Sequence, residues 1–538
     1  MEDIILYNAK IYTMNFEQPS ASALAVHNGR ILALGTDEQI LSAFGLHSIK
    51  EDLRGQIVLP GLQDAHLHLE FYALALQKVD CETATKKECL RRVAERVKET
   101  PQGEWVLGHG WNQNVWQDQD HQGSFPTAAD LDIIAPHHPV YLTDKSLHAG
   151  WMNSAAMLLL GISTATSDPE NGKFLRDHHG KPTGIALELA MEWVLTQLPV
   201  PTPERLTRML WDAQNKLIKM GLTSVCDFDQ RTCFSALQQL HRQGDLKLRV
   251  TKSIAHENLD HAIALGLQSG FGDDRLHIGS VKLFADGALG PHTAAMLEAY
   301  DDDPNNLGSL FMDGETMFEI GRKAVDHGLS IAVHAIGDRA NHEVLNAIEN
   351  VRRYEDKQGL PHLRHRIEHV QILHPQDADR LAKHNIVASM QPIHALSDMT
   401  TADRCWGKRA ALSYAWCTQI ENGAVLAFGS DAPVESPNPF WGLYAAVTRS
   451  RFDGYPQAGW YPEQRLTMQE ALHAYTLGVA YACGVENKVG KLAPNYLADM
   501  IILNKDEDPF TTPAEILKTI QPSSVMIGGE WVYHNDHF

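Results

Sequence analysis

An α/β fold built on a (β/α)8 TIM barrel is predicted by eight short apolar runs, most of them alternating with helical patterns from about residue 204 onward. A second observation is hairpin-rich β composition at both ends of the chain, which predicts one β-sandwich formed by the two termini. The third is a change of texture after the first barrel run, predicting an inserted cap over about residues 101–200. The expected organisation is a first sandwich segment over 1–56, a barrel over 57–484 and a second sandwich segment over 485–538.

The N-terminal segment reads as strands at Ile4 to Tyr7, Lys10 to Met14, Ala23 to His27 and Arg30 to Gly35. Asn28-Gly29 between two alternating runs is a strong hairpin signal. Similar composition returns at Met500 to Leu503 and Val525 to Tyr533. Between them, Gly55 to His68 reads as a buried strand carrying Asp64, His66 and His68 on one face. Residues 71–100 look helical, with Leu90, Val93 and Val97 on one helix face. The cap region holds Gly110-Trp111-Asn112 and Ser146-Leu147-His148. The remaining barrel runs are Thr223 to Phe228, Leu248 to Ala255, Ile278 to Ala285, Ser330 to Ala335, His365 to Val370, Ile386 to Gln391 and Ala424 to Gly429.

Composition narrows the function classes. With 44% hydrophobic and 21% charged residues, a chain of 538 residues has the makeup of a globular protein with a large core. No apolar run approaches membrane-span length, and the acidic start Met1-Glu2-Asp3 lacks the basic region of a signal peptide, so a cytoplasmic location is expected. The net charge of −21 disfavours nucleic acid and anionic membranes as partners. A small molecule is the expected partner. Barrels of this size commonly dimerise, although no exposed stripe marks a homodimer interface. Seven cysteines without a Cys-x-x-Cys pair suit reduced, buried thiols.

The chemistry lies at the run ends, which in a TIM barrel are the active-site side. His66 and His68 close the first run, Lys282 lies in the fourth, His334 and His369 end the fifth and sixth, and Asp431 follows the eighth. A bare His-x-His arises by chance in a chain with 28 histidines. A single strand-end histidine is more often a satisfied core residue than a ligand. The ordered series across consecutive runs shifts that balance toward metal. Nitrogen and oxygen ligands without cysteine suit catalytic zinc, with manganese, iron or nickel as other candidates. Lys282 among apolar neighbours requires an answer to its charge: a carbamate able to bridge two metals, or a salt bridge to Asp286 or another carboxylate. Asp431 is placed either to cap a turn or to ligate metal and accept a proton.

These stretches, Pro-Gly-Leu-Gln-Asp-Ala-His-Leu-His, Val-Lys-Leu-Phe-Ala-Asp-Gly-Ala-Leu-Gly, Val-His-Ala-Ile-Gly-Asp-Arg-Ala, Arg-Ile-Glu-His and Phe-Gly-Ser-Asp-Ala-Pro-Val, together resemble the amidohydrolase superfamily. The chain is similar in particular to its YtcJ-like branch, amidohydrolase family 3, which includes N-substituted formamide deformylases. That resemblance implies a distorted barrel and one or two zinc ions. It implies His66 and His68 on the more buried metal, His334 and His369 on the outer one, an N6-carboxylated Lys282 bridging them and Asp431 completing the site.

Metal-ion chemistry would then supply a hydroxide at neutral pH, with Asp431 as the catalytic proton acceptor and donor. Asp64 or Asp338 would orient ligating histidines, or equally stabilise turns. Candidate substrate-binding residues are His148, Trp111, Asp286, His292 and Arg339, with Trp116 and Trp151 alongside in the cap. An aromatic cluster of this kind is more often packing than pocket. The expected reaction is hydrolysis of a non-peptide C–N bond in an N-formyl, N-acyl or cyclic amide. A metal-dependent esterase, lactonase or phosphotriesterase and a non-catalytic scaffold are the alternatives at this level.

Overall fold

The computed structural model describes residues 3–118, 124–146 and 148–534, and the chain forms two compact units. The first comprises the segments up to Tyr72 and from Leu206 onward; the second is Ala73–Arg205.

The first unit contains an eight-stranded, all-parallel sheet. Its strands in chain order are Leu62–Leu67, Leu222–Asp227, Arg249–Ala255, Leu276–Phe284, Ile331–Ala335, Arg366–His369, Val387–Met390 and Leu426–Phe428. They are called barrel strands one to eight below. Spatial order equals chain order, as parallel pairing through helical crossovers favours. The strands are buried along nearly their whole length, which is why they read as continuous apolar runs rather than alternating ones.

Closure between strands eight and one is made by the backbone beyond strand eight. Asp431 N donates to His66 O at 2.6 Å and His68 N donates to Ala432 O at 2.9 Å. Gly429 allows this approach, because a Cβ there would lie 2.6 Å from both Asp64 Oδ1 and His66 N.

The termini build two further sheets. One is ordered Arg30–Gly35, Ala23–His27, Ile4–Tyr7, Ile49–Asp52. The other is ordered Glu530–His534, Ser524–Ile527, Met500–Leu503, Ile57–Pro60, Lys10–Tyr12, Ser20–Ala21. Leu6, Leu24, Val26 and Ile31 from the first share a core with Val58, Met500, Ile502 and Met526 from the second. That shared apolar layer makes the pair a sandwich. Asn28 and Gly29 have φ of 48° and 76°, the paired positive angles of a type I′ hairpin turn.

Two expectations need correction. The stretch before His66 is two strands, not one: Ile57–Pro60 pairs with the C-terminal strand Met500–Leu503, and only Leu62–Leu67 enters the barrel. Pro60 lacks an N–H and Gly61 packs where a Cβ would strike Thr223, so the chain changes sheet there. The helical pattern over 71–100 is interrupted, giving helices Leu69–Ala75 and Lys86–Glu99 around the short strand Val79–Asp80. Thr85 caps the second helix by accepting from Glu88 N.

The second unit has its own six-stranded mixed sheet with Ala149–Met152 and Val140–Asp144 at its centre. Among the described residues no helix is long and apolar enough to cross a membrane.

Candidate metal centre

Barrel strand one delivers His66, and a register shift opposite Val225 to Asp227 precedes His68 just beyond the strand end. Each ring is held through Nδ1 by a buried carboxylate: His66 by Glu368 Oε2 at 2.7 Å and His68 by Asp229 Oδ1 at 2.9 Å. A carboxylate accepts only from a protonated nitrogen, so both rings present an unprotonated Nε2 when neutral. Those two atoms lie 3.6 and 3.5 Å from the same oxygen, Asp431 Oδ1. Ligands about 2.1 Å from a tetrahedral zinc stand roughly 3.4 Å apart. Both edges to Asp431 therefore match one divalent cation, and all three ligand atoms lie within 4.8 Å of one another.

The charges around it fit the same reading. Burial drives His66 and His369 well below the ordinary imidazole range, and His334 down to about 3, helped by the nearby Lys282 ammonium. All three are neutral near pH 7, as ligation requires. His68 is the exception: its burial is outweighed by Asp229, which raises it. Burial lifts Asp431 above the usual carboxylate range. Arg366 and Lys282 keep Glu368 ionised against its own burial, lowering it. Arg366 clamps Glu368 through two nitrogens, so the ligand support is itself supported.

Lys282 rises from barrel strand four level with Ala332 of strand five. It is 3% exposed, and among the described residues its Nζ has no hydrogen-bond partner. The Phe228 and Phe284 ring centres lie 4.6 and 5.0 Å from it. Desolvation pulls the ammonium down to about 8. The bland alternative, a salt bridge to Asp286, is not formed. The Asp286 carboxylate is instead occupied by the backbone N–H groups of Ala295, Ile336 and Gly337 at 2.8 to 3.0 Å. An orphaned buried amine is a site that lacks part of its chemistry. Conversion to a carbamate would replace an unpaired cation with an anion able to ligate metal.

His334 and His369 stand beside this group with ring centres 4.5 Å apart, and His369 is 5.0 Å from His66. They do not join the tight triangle. His334 Nε2 donates to Gly287 O at 2.9 Å, and His369 Nδ1 faces Gln391 Oε1 at 2.7 Å. His334 Nδ1 and His369 Nε2 are thereby the nitrogens left for a ligand. Backbone conformation is unusual here too: His369, Val370 and Asp431 have φ of 77°, 45° and 59°. Such angles cost non-glycine residues, and a β-branched valine most, so the surrounding hydrogen bonds must impose them.

The other candidates separate clearly. Asp64 accepts from His66 N, Ser430 N and Ser430 Oγ, so it ties strand one to the loop bearing Asp431 and orients the site through backbone. Asp338 accepts from Leu297 N and stabilises a turn. Trp111 is fully buried against Trp116 and Trp151, and its indole donates to Leu142 O, the arrangement of a packing residue. His148 is exposed in the second unit and pairs with Glu188 at 2.9 Å, while Leu147 lies outside the described residues. Arg339 is exposed at the start of helix Asp338–Gln358. His292 turns toward Asp302 and Cys405.

Sequence reading missed Glu368, Asp229, Arg366, Gln391 and His394. His394, at the start of helix Pro392–Trp406, places Nε2 3.9 Å from Asp431 Oδ2. Glu368 and Arg366 lay inside the quoted Arg-Ile-Glu-His motif. Charged residues in a fully buried strand were the signal that could have exposed them.

A family model described as the amidohydrolase family matches residues 51–533. The chain belongs to the amidohydrolase family. Its YtcJ-like character is borne out by the putative amidohydrolase YtcJ of Bacillus subtilis, 33% identical over 98% of this chain and 99% of that one. An N-substituted formamide deformylase of Arthrobacter pascens is 29% identical, covering 98% of each. Among solved structures, an uncharacterized metal-dependent hydrolase from Pyrococcus furiosus aligns with a TM-score of 0.76 and 31% identity, covering 95% of this chain and 100% of its own.

Proposed function

We propose that the protein is a metal-dependent hydrolase that cleaves a non-peptide carbon–nitrogen bond, in an N-formyl, N-acyl or cyclic amide. The observation that carries this reading is the convergence of His66 Nε2, His68 Nε2 and Asp431 Oδ1 at 3.5 to 3.6 Å beside the unpartnered Lys282. The similarity to an N-substituted formamide deformylase supports the choice of bond. A divalent cation, zinc by the donor set, would be held by His66, His68 and Asp431 and would supply Lewis acidity there.

The protein's own groups do the rest. Glu368 and Asp229 hold the histidine tautomers, so His66 and His68 keep their Nε2 lone pairs turned inward. Asp431 takes the proton of the attacking water and returns it to the departing nitrogen, which leaves poorly as an anion. Its pKa, raised by burial, suits a group that must both accept and release. His394, whose Nε2 lies 3.9 Å from the other Asp431 oxygen and faces Ser430 O, favours the ionised, proton-accepting carboxylate. A carboxylated Lys282, with His334 and His369, would make room for a second cation, and the orphaned amine favours that arrangement. His148 and Arg339 stay as specificity candidates, being exposed and polar.

The test is a panel of N-formyl amines, N-acyl amines, cyclic amides, esters, lactones and phosphotriesters, offered to wild type and Asp431→Asn after elemental analysis. Turnover of one C–N class, lost in the variant while metal stays bound, supports the reading. Turnover of esters or phosphotriesters alone sinks the choice of bond. Stable, metal-free protein inert toward the panel would point to a scaffold.

A further inference from the structure

A second constellation of ligand-type side chains lies in the first unit and takes no part in the reaction just proposed. His292 and Asp302 sit ten residues apart in the long segment after barrel strand four, and Cys405 is in the last turn of helix Pro392–Trp406. His292 Nε2 is 3.1 and 3.2 Å from the two Asp302 oxygens and 3.3 Å from Cys405 Sγ. Cys405 Sγ is 3.5 Å from Asp302 Oδ2. One imidazole nitrogen carries one proton or one lone pair, yet here it meets sulfur and oxygen together.

We propose that His292, Asp302 and Cys405 form a binding site for a borderline-soft divalent cation of the zinc class, separate from the candidate metal centre. Three donors of mixed N, O and S type, meeting through Asp302 Oδ2 with edges of 3.2 to 3.5 Å, need to open by only a few tenths of an ångström to take zinc, whose bonds are about 2.0 to 2.3 Å long. A thiolate among them selects against magnesium and calcium. The proton balance is simple. Cys405 releases its thiol proton to solvent, His292 carries its ring proton on Nδ1, and the thiolate and Asp302 carboxylate offset the two positive charges. Arg404, whose Nε lies 3.0 Å from Asp302 Oδ2, is 61% exposed and can turn outward without stranding a buried charge.

The frame around the site is already set. Asp301 N donates to Cys405 O at 2.8 Å, His292 N donates to Leu289 O at 2.9 Å, and the His292 backbone is held at a φ of 55°. The Tyr300 ring packs edge-on against the imidazole at 4.8 Å. His292 and Asp302 are about a quarter exposed while Cys405 is buried, so the fourth position faces solvent. The buried trio Asp227, Asp229 and Cys233 differs, because Lys252 Nζ stands 3.0 Å from Asp227 and supplies the positive charge itself. A cation at His292 would clamp the segment that carries Asp286 and Gly287 to the helix that begins beside His394.

Cobalt separates this site from the main one, whose donors include no sulfur. Full-length protein stripped with chelator and titrated with Co2+ alone should show a thiolate-to-cobalt charge-transfer band in the near ultraviolet. The band should vanish in Cys405→Ser and in His292→Ala, persist in Cys233→Ser, and its loss should accompany about one equivalent less bound cobalt. His292→Ala, at a partly exposed loop, keeps the test decisive if Cys405→Ser folds poorly. No band in wild type, or a band that survives both substitutions, overturns the proposal.

Discussion

Replacing Lys282 by methionine should stabilise the metal-free protein, against the usual direction for a substitution in a barrel core. Burial lowers the Lys282 ammonium from 10.5 to about 8. Each unit is worth about 1.36 kcal/mol, so the charged form carries a penalty of about 3 kcal/mol in the native state. The sign follows from proton uptake. Between about pH 8 and 10.5 the unfolded chain binds the proton that the folded chain has lost, so wild-type stability rises with pH through that window. Below pH 8 the full penalty applies.

Methionine is similar in length, carries no charge and places a thioether against Phe228 and Phe284, where sulfur–aromatic contact is favourable. In chelated, carbonate-free buffer near pH 7 the variant should therefore exceed wild type by about 2 to 3 kcal/mol in denaturant unfolding, and the gap should close by about pH 10.5. Metal and bicarbonate should reverse the order, because a cation at about a thousand times its Kd adds roughly 4 kcal/mol to the form that binds it. A variant less stable than wild type in stripped buffer, or a gap that ignores pH, would refute the account of an unpartnered ammonium.

Three further outcomes are expected. Asp431→Asn should lower kcat by about 10² to 10⁴ in steady-state assays on any substrate found, since it removes the proton-transfer group. Asp229→Asn should weaken metal binding by about 10- to 100-fold in competition titrations, because the one amide oxygen is drawn to Glu70 N and Phe71 N and an NH2 replaces the anionic acceptor of His68 Nδ1. Gly429→Ala should destabilise the protein by about 1 to 3 kcal/mol in thermal unfolding and lower its metal content, as the added carbon would meet Asp64 Oδ1 and His66 N at 2.6 Å.

By itself the sequence determined the barrel and the sandwich and pointed to the candidate ligands. Eight buried parallel strands leave eight apolar runs, and an imidazole or carboxylate at the end of such a run, as at His66, His334 and His369, or just beyond it, as at Asp431, marks a candidate metal ligand. Local pattern was enough because strand burial and ligand chemistry are written in residue type. Only the tertiary structure decided which residues act together. Glu368 and Asp229 reach His66 and His68 across separations of 302 and 161 residues, so no local spacing announces them. The division of Gly55 to His68 between two sheets depended on a partner strand at Met500, more than four hundred residues away. Lys282 reads in sequence as a carbamate or as a salt bridge to Asp286 or another carboxylate, and the fold removes Asp286 as a partner by filling it with three backbone N–H groups. Trp111 reads in sequence as pocket or packing, and only the fold shows how fully it is enclosed. Partner choice is a property of distance in space, and a chain read in order carries that distance only after it has folded.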